Sequence, residues 1–258
     1  MGLIDKRELN GGNNPLIVAI DLPDRDGALR IVERLSGHVS MFKVGMELFY
    51  AEGPRIVEDL HSMGVEVFLD LKFHDIPNTV ENAVRQLGRL QPAMMTVHAQ
   101  GGLPMMTRAA AASKEKADAN GFRPLILAIT LLTSIDERTL REDMMISASP
   151  AEYVVDMSRL SQSAGIDGVV ASPREARLIR LECGDDFLIV TPGVRPSWYA
   201  HGDQMRVATP AEAIAAGADC IVVGRPITRA VDPLDAALRI LDEIHGRAGA
   251  CACEAHPC

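Results

Sequence analysis

Two acids and two lysines are the residues of this chain best suited to chemistry. Asp70, Lys72 and Asp75 fall in the stretch Phe68-Leu69-Asp70-Leu71-Lys72-Phe73-His74-Asp75-Ile76-Pro77-Asn78-Thr79, and Lys43 lies in the apolar run Met41 to Val44. Val65 to Leu71 reads as a buried strand whose side chains alternate, so Phe68, Asp70 and Lys72 share one face and Val67, Leu69 and Leu71 the other. An acid and an ammonium at the end of an apolar strand are costly unless they pair or do chemistry. Four uses are open to them: structural ion pairing, electrostatic catalysis with proton transfer from a lysine, Schiff-base formation by the same amine, and metal binding among the acids.

The elements that must position these groups repeat along the chain. Short apolar runs occur at Leu16 to Asp21, Met41 to Val44, Val65 to Lys72, Met94 to His98, Leu125 to Thr130, Gly168 to Ala171, Leu188 to Thr191 and Cys220 to Val223. Between them apolar residues recur at helical spacing, as in Ala28, Ile31, Val32 and Leu35, or Ile56, Val57, Leu60 and Met63. Near-continuous apolar strands alternating with helices imply a parallel sheet covered by helices. Eight such units in 258 residues predict an α/β fold of the (β/α)8 TIM barrel type, a single domain over residues 15–244. Asp21-Leu22-Pro23-Asp24 after the first run lacks the glycine fingerprint of a dinucleotide-binding sheet.

Active sites of such barrels lie at the carboxyl ends of the strands. There this sequence carries Asp21, Lys43, Asp70 and Lys72, His98, Thr130, Ser172, Thr191, and Gly224 with Arg225. Barrel closure would set Asp70 between Lys43 and Lys72. At ~4 Å and an effective dielectric near ~20, each pair has about 4 kcal/mol of raw attraction before desolvation. Asp75 lies beyond the strand end, before a helix expected to begin near Asn78 or Thr79. Thr191-Pro192-Gly193-Val194-Arg195-Pro196 and Val223-Gly224-Arg225-Pro226-Ile227 follow strands seven and eight, where barrels often hold phosphate. Gly224 admits a close approach of backbone, and Arg225 can fork onto phosphate oxygens. The irregular stretches Leu131 to Pro150 and Gly193 to Thr209 are candidates for ligand-gripping loops. His98 reads as a core or supporting histidine and receives no role.

A net charge of −9 argues against general nucleic-acid or membrane-surface binding and favours a small ligand. The polar start, residues 1–14, reads as an extension without the apolar core of a signal peptide, and a cytoplasmic protein is expected. Cys183 and Cys220 read as plain thiols. Cys251, Cys253, Cys258 and His256 match no standard zinc spacing, and residues 245–258 are expected to be a disordered tail.

Together, the twelve-residue stretch from Phe68 to Thr79 and the segments Ala19-Ile20-Asp21, Phe42-Lys43-Val44-Gly45, Val97-His98-Ala99, Leu132-Thr133-Ser134, Asp167-Gly168-Val169-Val170, Thr191 to Pro196, Gly202-Asp203-Gln204 and Val223 to Thr228 resemble the orotidine 5′-phosphate decarboxylases. The resemblance covers almost the whole chain. It implies decarboxylation of orotidine 5′-phosphate to UMP without metal or other cofactor. Asp70 and Lys72 would be the reacting pair, Lys43 would hold Asp70 and the ribose, and Asp21 would hold a ribose hydroxyl. It further implies a homodimer with shared sites, Asp75 and Thr79 serving the neighbouring subunit. Thr133 would meet the pyrimidine edge. Arg195, Gln204, Gly224 and Arg225 would serve the phosphate, whose binding would drive closure of the loop around Gln204. The alternatives are a Mg-dependent sugar-phosphate decarboxylase or synthase on the same barrel, a Schiff-base aldolase using Lys43 or Lys72, and a silent barrel that only binds a nucleotide or sugar phosphate.

Overall fold

The structure is a computed structural model that describes residues 14–115, 123–199 and 208–246. Its eight strands are β1 (Leu16–Ala19), β2 (Met41–Gly45), β3 (Glu66–Phe73), β4 (Met94–His98), β5 (Leu125–Ile129), β6 (Gly168–Val170), β7 (Leu188–Thr191) and β8 (Cys220–Val223). Each pairs in parallel with the next, and β8 returns to β1, so the sheet closes. The expected (β/α)8 barrel is the observed fold.

Eleven helices among the described residues cover it: α1 (Arg25–Leu35), α2 (Met46–Glu52), α3 (Arg55–Ser62), α4 (Pro77–Leu87), α5 (Gly102–Lys114), α6 (Glu137–Glu142), α7 (Pro150–Ser163), α8 (Pro173–Cys183), α9 (Pro210–Ala215), α10 (Arg225–Thr228) and α11 (Pro233–Ile244). The units after β2, β5 and β8 each hold two. Local sequence sets their starts. Asp24 caps α1 by accepting from Gly27 N at 2.8 Å, and Ser149 and Glu152 form a reciprocal capping box on α7. Proline at the first position opens α4, α7, α8, α9 and α11, where a missing N–H costs nothing. The helices bury the stripes that periodicity implied, Ala28, Val32 and Leu35 on α1 and Ile56, Val57 and Leu60 on α3.

Strand parity divides the core into two layers. Ile17, Met41, Phe68, Met94, Leu127 and Val190 pack together inside the barrel. Their neighbours along the chain, such as Val18, Phe42, Leu69, Met95, Ala128 and Ile189, pack between sheet and helices. Following the inward parity upward leads to Lys43, Asp70, Thr96 and His98. Following the outward parity leads to Thr130 and Thr191, which corrects the expectation that these two line the mouth. Both are fully buried and bond neighbouring-strand carbonyls, Val170 O at 3.2 Å and Cys220 O at 3.3 Å.

No helix among the described residues is long and apolar enough to cross a membrane. Cys183 and Cys220 are buried, and neither forms a disulfide with a described residue. The N-terminal extension before Asn14, and the expected tail from residue 247 with its three cysteines and His256, lie outside the described residues.

Candidate active site

Three adjacent strands deliver an alternating line of charge to one end of the barrel. Lys43 Nζ on β2 donates to Asp21 Oδ1 at 2.8 Å and lies 3.5 Å from Asp70 Oδ2 on β3. Lys72 Nζ donates to that same Asp70 oxygen at 2.7 Å. The order is therefore Asp21, Lys43, Asp70, Lys72, with the two middle groups almost fully buried and the outer two open to the mouth. β1 ends at Ala19, two residues short of the expected strand end. Asp21 consequently stands on the loop, half exposed, where it can still reach Lys43.

Burial by itself would raise the Asp70 carboxyl pKa. The charges of Lys43 and Lys72 and hydrogen bonds from Lys72 and Thr96 outweigh that and hold it below the usual carboxylate range. Asp70 is thus an anion at neutral pH. A buried anion between two ammonium groups keeps both cations in place and limits their freedom to rotate away.

Two residues that sequence reasoning gave no role complete the cluster. A Cβ at Gly45 would sit 2.7 Å from Asp21 Oδ1 and 3.1 Å from Lys43 Nζ, so a side chain there would push the Asp21 and Lys43 groups from the positions in which they meet. Thr96 of β4 is fully buried, donates to Asp70 Oδ1 at 2.9 Å and accepts from Lys72 N at 2.8 Å. Its only sequence signal was a hydroxyl on the inward parity of an apolar strand, two residues before His98. Lys72 itself has φ +55°, a left-handed conformation that costs a non-glycine residue roughly 1–2 kcal/mol.

His98, half-buried beyond Thr96, stacks on the exposed ring of His74 with centroids 5.3 Å apart. Burial, followed by the charges of His74 and Lys72, pushes its pKa down against the opposing pull of Asp70. The imidazole is therefore neutral at pH 7, and its Nδ1 is buried without a hydrogen-bond partner.

Asp75 and Thr79 do not join this cluster within one chain. Both are exposed, Asp75 accepting from Ile76 N at 2.6 Å, on the rim where β3 leads into α4; that helix starts at Pro77, slightly earlier than expected. Thr133 lines a cleft of about 460 Å³ together with Ser134, Ser172, Pro192 and Gly193, between the loops after β5, β6 and β7. Arg195 is buried, its backbone N–H bonded to Ala208 O at 3.0 Å and its guanidinium 5.6 Å from the Tyr199 ring centroid. Gly224 packs against Ala19 of β1, and the half-buried Arg225 opens the single turn α10. The structure thus joins Asp21, Lys43, Asp70 and Lys72, puts Thr133, Arg195, Gly224 and Arg225 on the loops after β5, β7 and β8, and leaves Asp75 and Thr79 on an outer rim. Gln204 lies outside the described residues.

Among the described residues no three His, Cys, Asp or Glu side chains gather as a metal ion would require. What the mouth offers a ligand is a line of lysine charge backed by acids, with an aromatic histidine pair to one side.

Residues 14–240 match the model of the orotidine 5′-phosphate decarboxylase / HUMPS family. A protein of Moorella thermoacetica named orotidine 5′-phosphate decarboxylase is 52% identical over 230 residues, 89% of this chain and 91% of that one. One of the same name from Nostoc sp. is 46% identical over 233 residues, 90% of this chain and 98% of that one. Among solved structures, the orotidine 5′-phosphate decarboxylase of Lactobacillus acidophilus matches with a TM-score of 0.81 and 40% identity, covering 90% of this chain and 99% of that one.

Proposed function

The chain belongs to the orotidine 5′-phosphate decarboxylase / HUMPS family, and from that premise we propose that it converts orotidine 5′-phosphate to UMP and CO2 in de novo pyrimidine synthesis. The observation that carries the reading is Lys72 Nζ held 2.7 Å from Asp70 Oδ2, with Lys43 behind the same oxygen. When the bond from C6 to the carboxylate breaks, CO2 leaves and the electron pair stays on C6, in the ring plane, where the ring delocalises it poorly. Fixed charge is the stabiliser suited to such a carbanion. The Lys72 ammonium supplies it and then transfers a proton to C6, and solvent reprotonates the amine. Asp70 beside the substrate carboxylate adds like-charge repulsion that is relieved as CO2 departs.

The remaining groups bind. Lys43 and Asp21 hold the ribose, Thr133 meets the pyrimidine edge, and Arg195, Gln204, Gly224 and Arg225 serve the phosphate. Residues 15–244 form the catalytic unit, which acts in the cytoplasm, a setting that suits two unbridged cysteines.

The site is completed by a second copy of the chain. Asp75 and Thr79 of the partner subunit approach Lys72 across a two-fold interface. Their exposure, the 67% exposure of Ile76 between them, and the exposed Met46 and Tyr50 on α2, which follows the adjacent strand β2, support this arrangement.

Purified protein mixed with orotidine 5′-phosphate should show the absorbance loss of decarboxylation, at equal rates with and without EDTA. No loss would sink the reading, and inhibition by EDTA would move it to metal-dependent chemistry. Mixed Lys72→Ala and Asp75→Ala chains, each inactive alone, should regain about a quarter of wild-type specific activity after reassortment, since half the dimers then hold one intact site. Absence of recovery would show that each subunit works alone.

A further inference from the structure

The strand that carries Asp70 and Lys72 loses step with its neighbour where the charges sit. Leu69 pairs with Met95 and Phe73 with Val97, so four steps along β3 face two along β4. The slack is taken up by Asp70, Leu71 and Lys72, and Lys72 adopts the left-handed conformation. Its N–H is turned to a side chain, Thr96 Oγ1, instead of a strand carbonyl.

A threonine hydroxyl has a single proton to donate and lone pairs to accept with. Here the proton goes to Asp70 Oδ1, and a lone pair receives Lys72 N–H. Asp70 Oδ2 in turn receives Lys72 Nζ. The result is a closed loop of hydrogen bonds in which both ends of Lys72 are tied to one carboxylate, the ammonium directly and the backbone through one buried hydroxyl.

We infer that Thr96 is a positioning residue for the decarboxylation: it fixes the backbone turn at Lys72 and the rotation of the Asp70 carboxylate, and so sets where the ammonium stands relative to C6. The inference rests on the decarboxylase reading above. Thr96 touches no substrate in this scheme; it acts through Asp70 and Lys72. A hydroxyl that merely satisfied a buried N–H would govern folding and leave the reaction alone.

Three variants separate these roles. Thr96→Val keeps the shape and removes both hydrogen bonds, Thr96→Ser keeps them, and Thr96→Cys keeps the volume with a weaker donor and acceptor. Misplacing a reacting group by about 1 Å costs about 10²-fold. Thr96→Val should accordingly lower kcat by about that factor while the Kd for UMP stays within about threefold, because phosphate and ribose contacts are untouched. Thr96→Ser should return kcat to within about fivefold of wild type, with Thr96→Cys between the two. Removing a donor to Asp70 should also move the acid limb of the kcat/KM profile to higher pH.

If Thr96→Val does not fold, Thr96→Cys and its pH profile decide the matter. A folded Thr96→Val or Thr96→Cys enzyme with wild-type kcat and an unmoved acid limb overturns the inference while leaving the reaction intact. A wild-type chain inactive on orotidine 5′-phosphate overturns both.

Discussion

The barrel holds charge at both ends and uses it in different ways. At the amino end Arg123 grips Asp167 with parallel bonds of 2.6 and 2.8 Å, and Ile126 N donates to the same acid at 2.9 Å. Arg180 of α8 reaches Asp219 at 2.7 Å and also donates to the carbonyls of Gly184, Phe187 and Gly217, clamping the starts of β7 and β8. Planar guanidinium forks meet carboxylates and carbonyls here in fixed geometry. In the charged line at the carboxyl end the cations are lysines, compact charges with three donors each on flexible stems. Their acids alternate in a line, one lysine sits on strained backbone, and the line opens to the mouth. Buried charge alone therefore does not mark a reactive site. The amino-end arginines tie strand starts together, whereas the lysines join a line of charge whose ends, Asp21 and Lys72, reach the mouth.

Paired substitutions test that contrast, and the larger effect is expected at the mouth. Lys72→Ala should cut kcat by more than about 10³-fold, the combined loss of charge stabilisation and proton donor, with Tm within about 3 °C of wild type. UMP should still bind, held by its phosphate. Asp167→Asn should do the reverse. Breaking one partner of a largely buried pair should cost about 2–3 kcal/mol, or roughly 5–10 °C in Tm, with kcat within about twofold. Activity assays and thermal melts on the two proteins suffice. If Asp167→Asn lost activity while remaining folded, or Lys72→Ala unfolded the chain, the division between the two ends would collapse.

The same contrast explains what could be read from the sequence. The barrel is legible because eight apolar runs alternate with helical stripes, and Asp21, Lys43, Asp70 and Lys72 are legible because successive strand ends carry charges of alternating sign. Thr96 was not, since a lone threonine in Met94-Met95-Thr96-Val97 looks like strand filler until the slip in register brings it under Lys72 N–H. Gly45 was noticed only as part of a motif; its need to lack a side chain depends on two charges arriving from β1 and β2. Thr130 and Thr191 were misassigned because a one-residue error in parity at a strand end exchanges mouth for outer layer. The arginine clamps have no local sequence signature, because their acidic partners lie 44 and 39 residues away.

The smallest effect concerns a residue between the two regimes, His98, which is half-buried beside the charged line yet belongs to no ion pair among the described residues. Its folded pKa is pushed down by burial and by its cationic neighbours, so the unfolded chain takes up a proton that the folded protein refuses. His98 should therefore not weaken the fold while pH stays above the unfolded value near ~6.5, and should cost stability progressively as pH falls below it. Asp70 acts in a separate and lower window. Its contribution is present above the unfolded carboxylate value near ~3.9 and is lost as pH falls through its lowered folded pKa. Comparing wild type with His98→Asn between pH 7 and pH 5 isolates the first window from the second. The variant should lose less Tm over that interval, by a few degrees at most. Equal losses in the two proteins would mean that His98 is as easily protonated in the fold as out of it, and that the lysine charge does not reach beyond the Asp70 line.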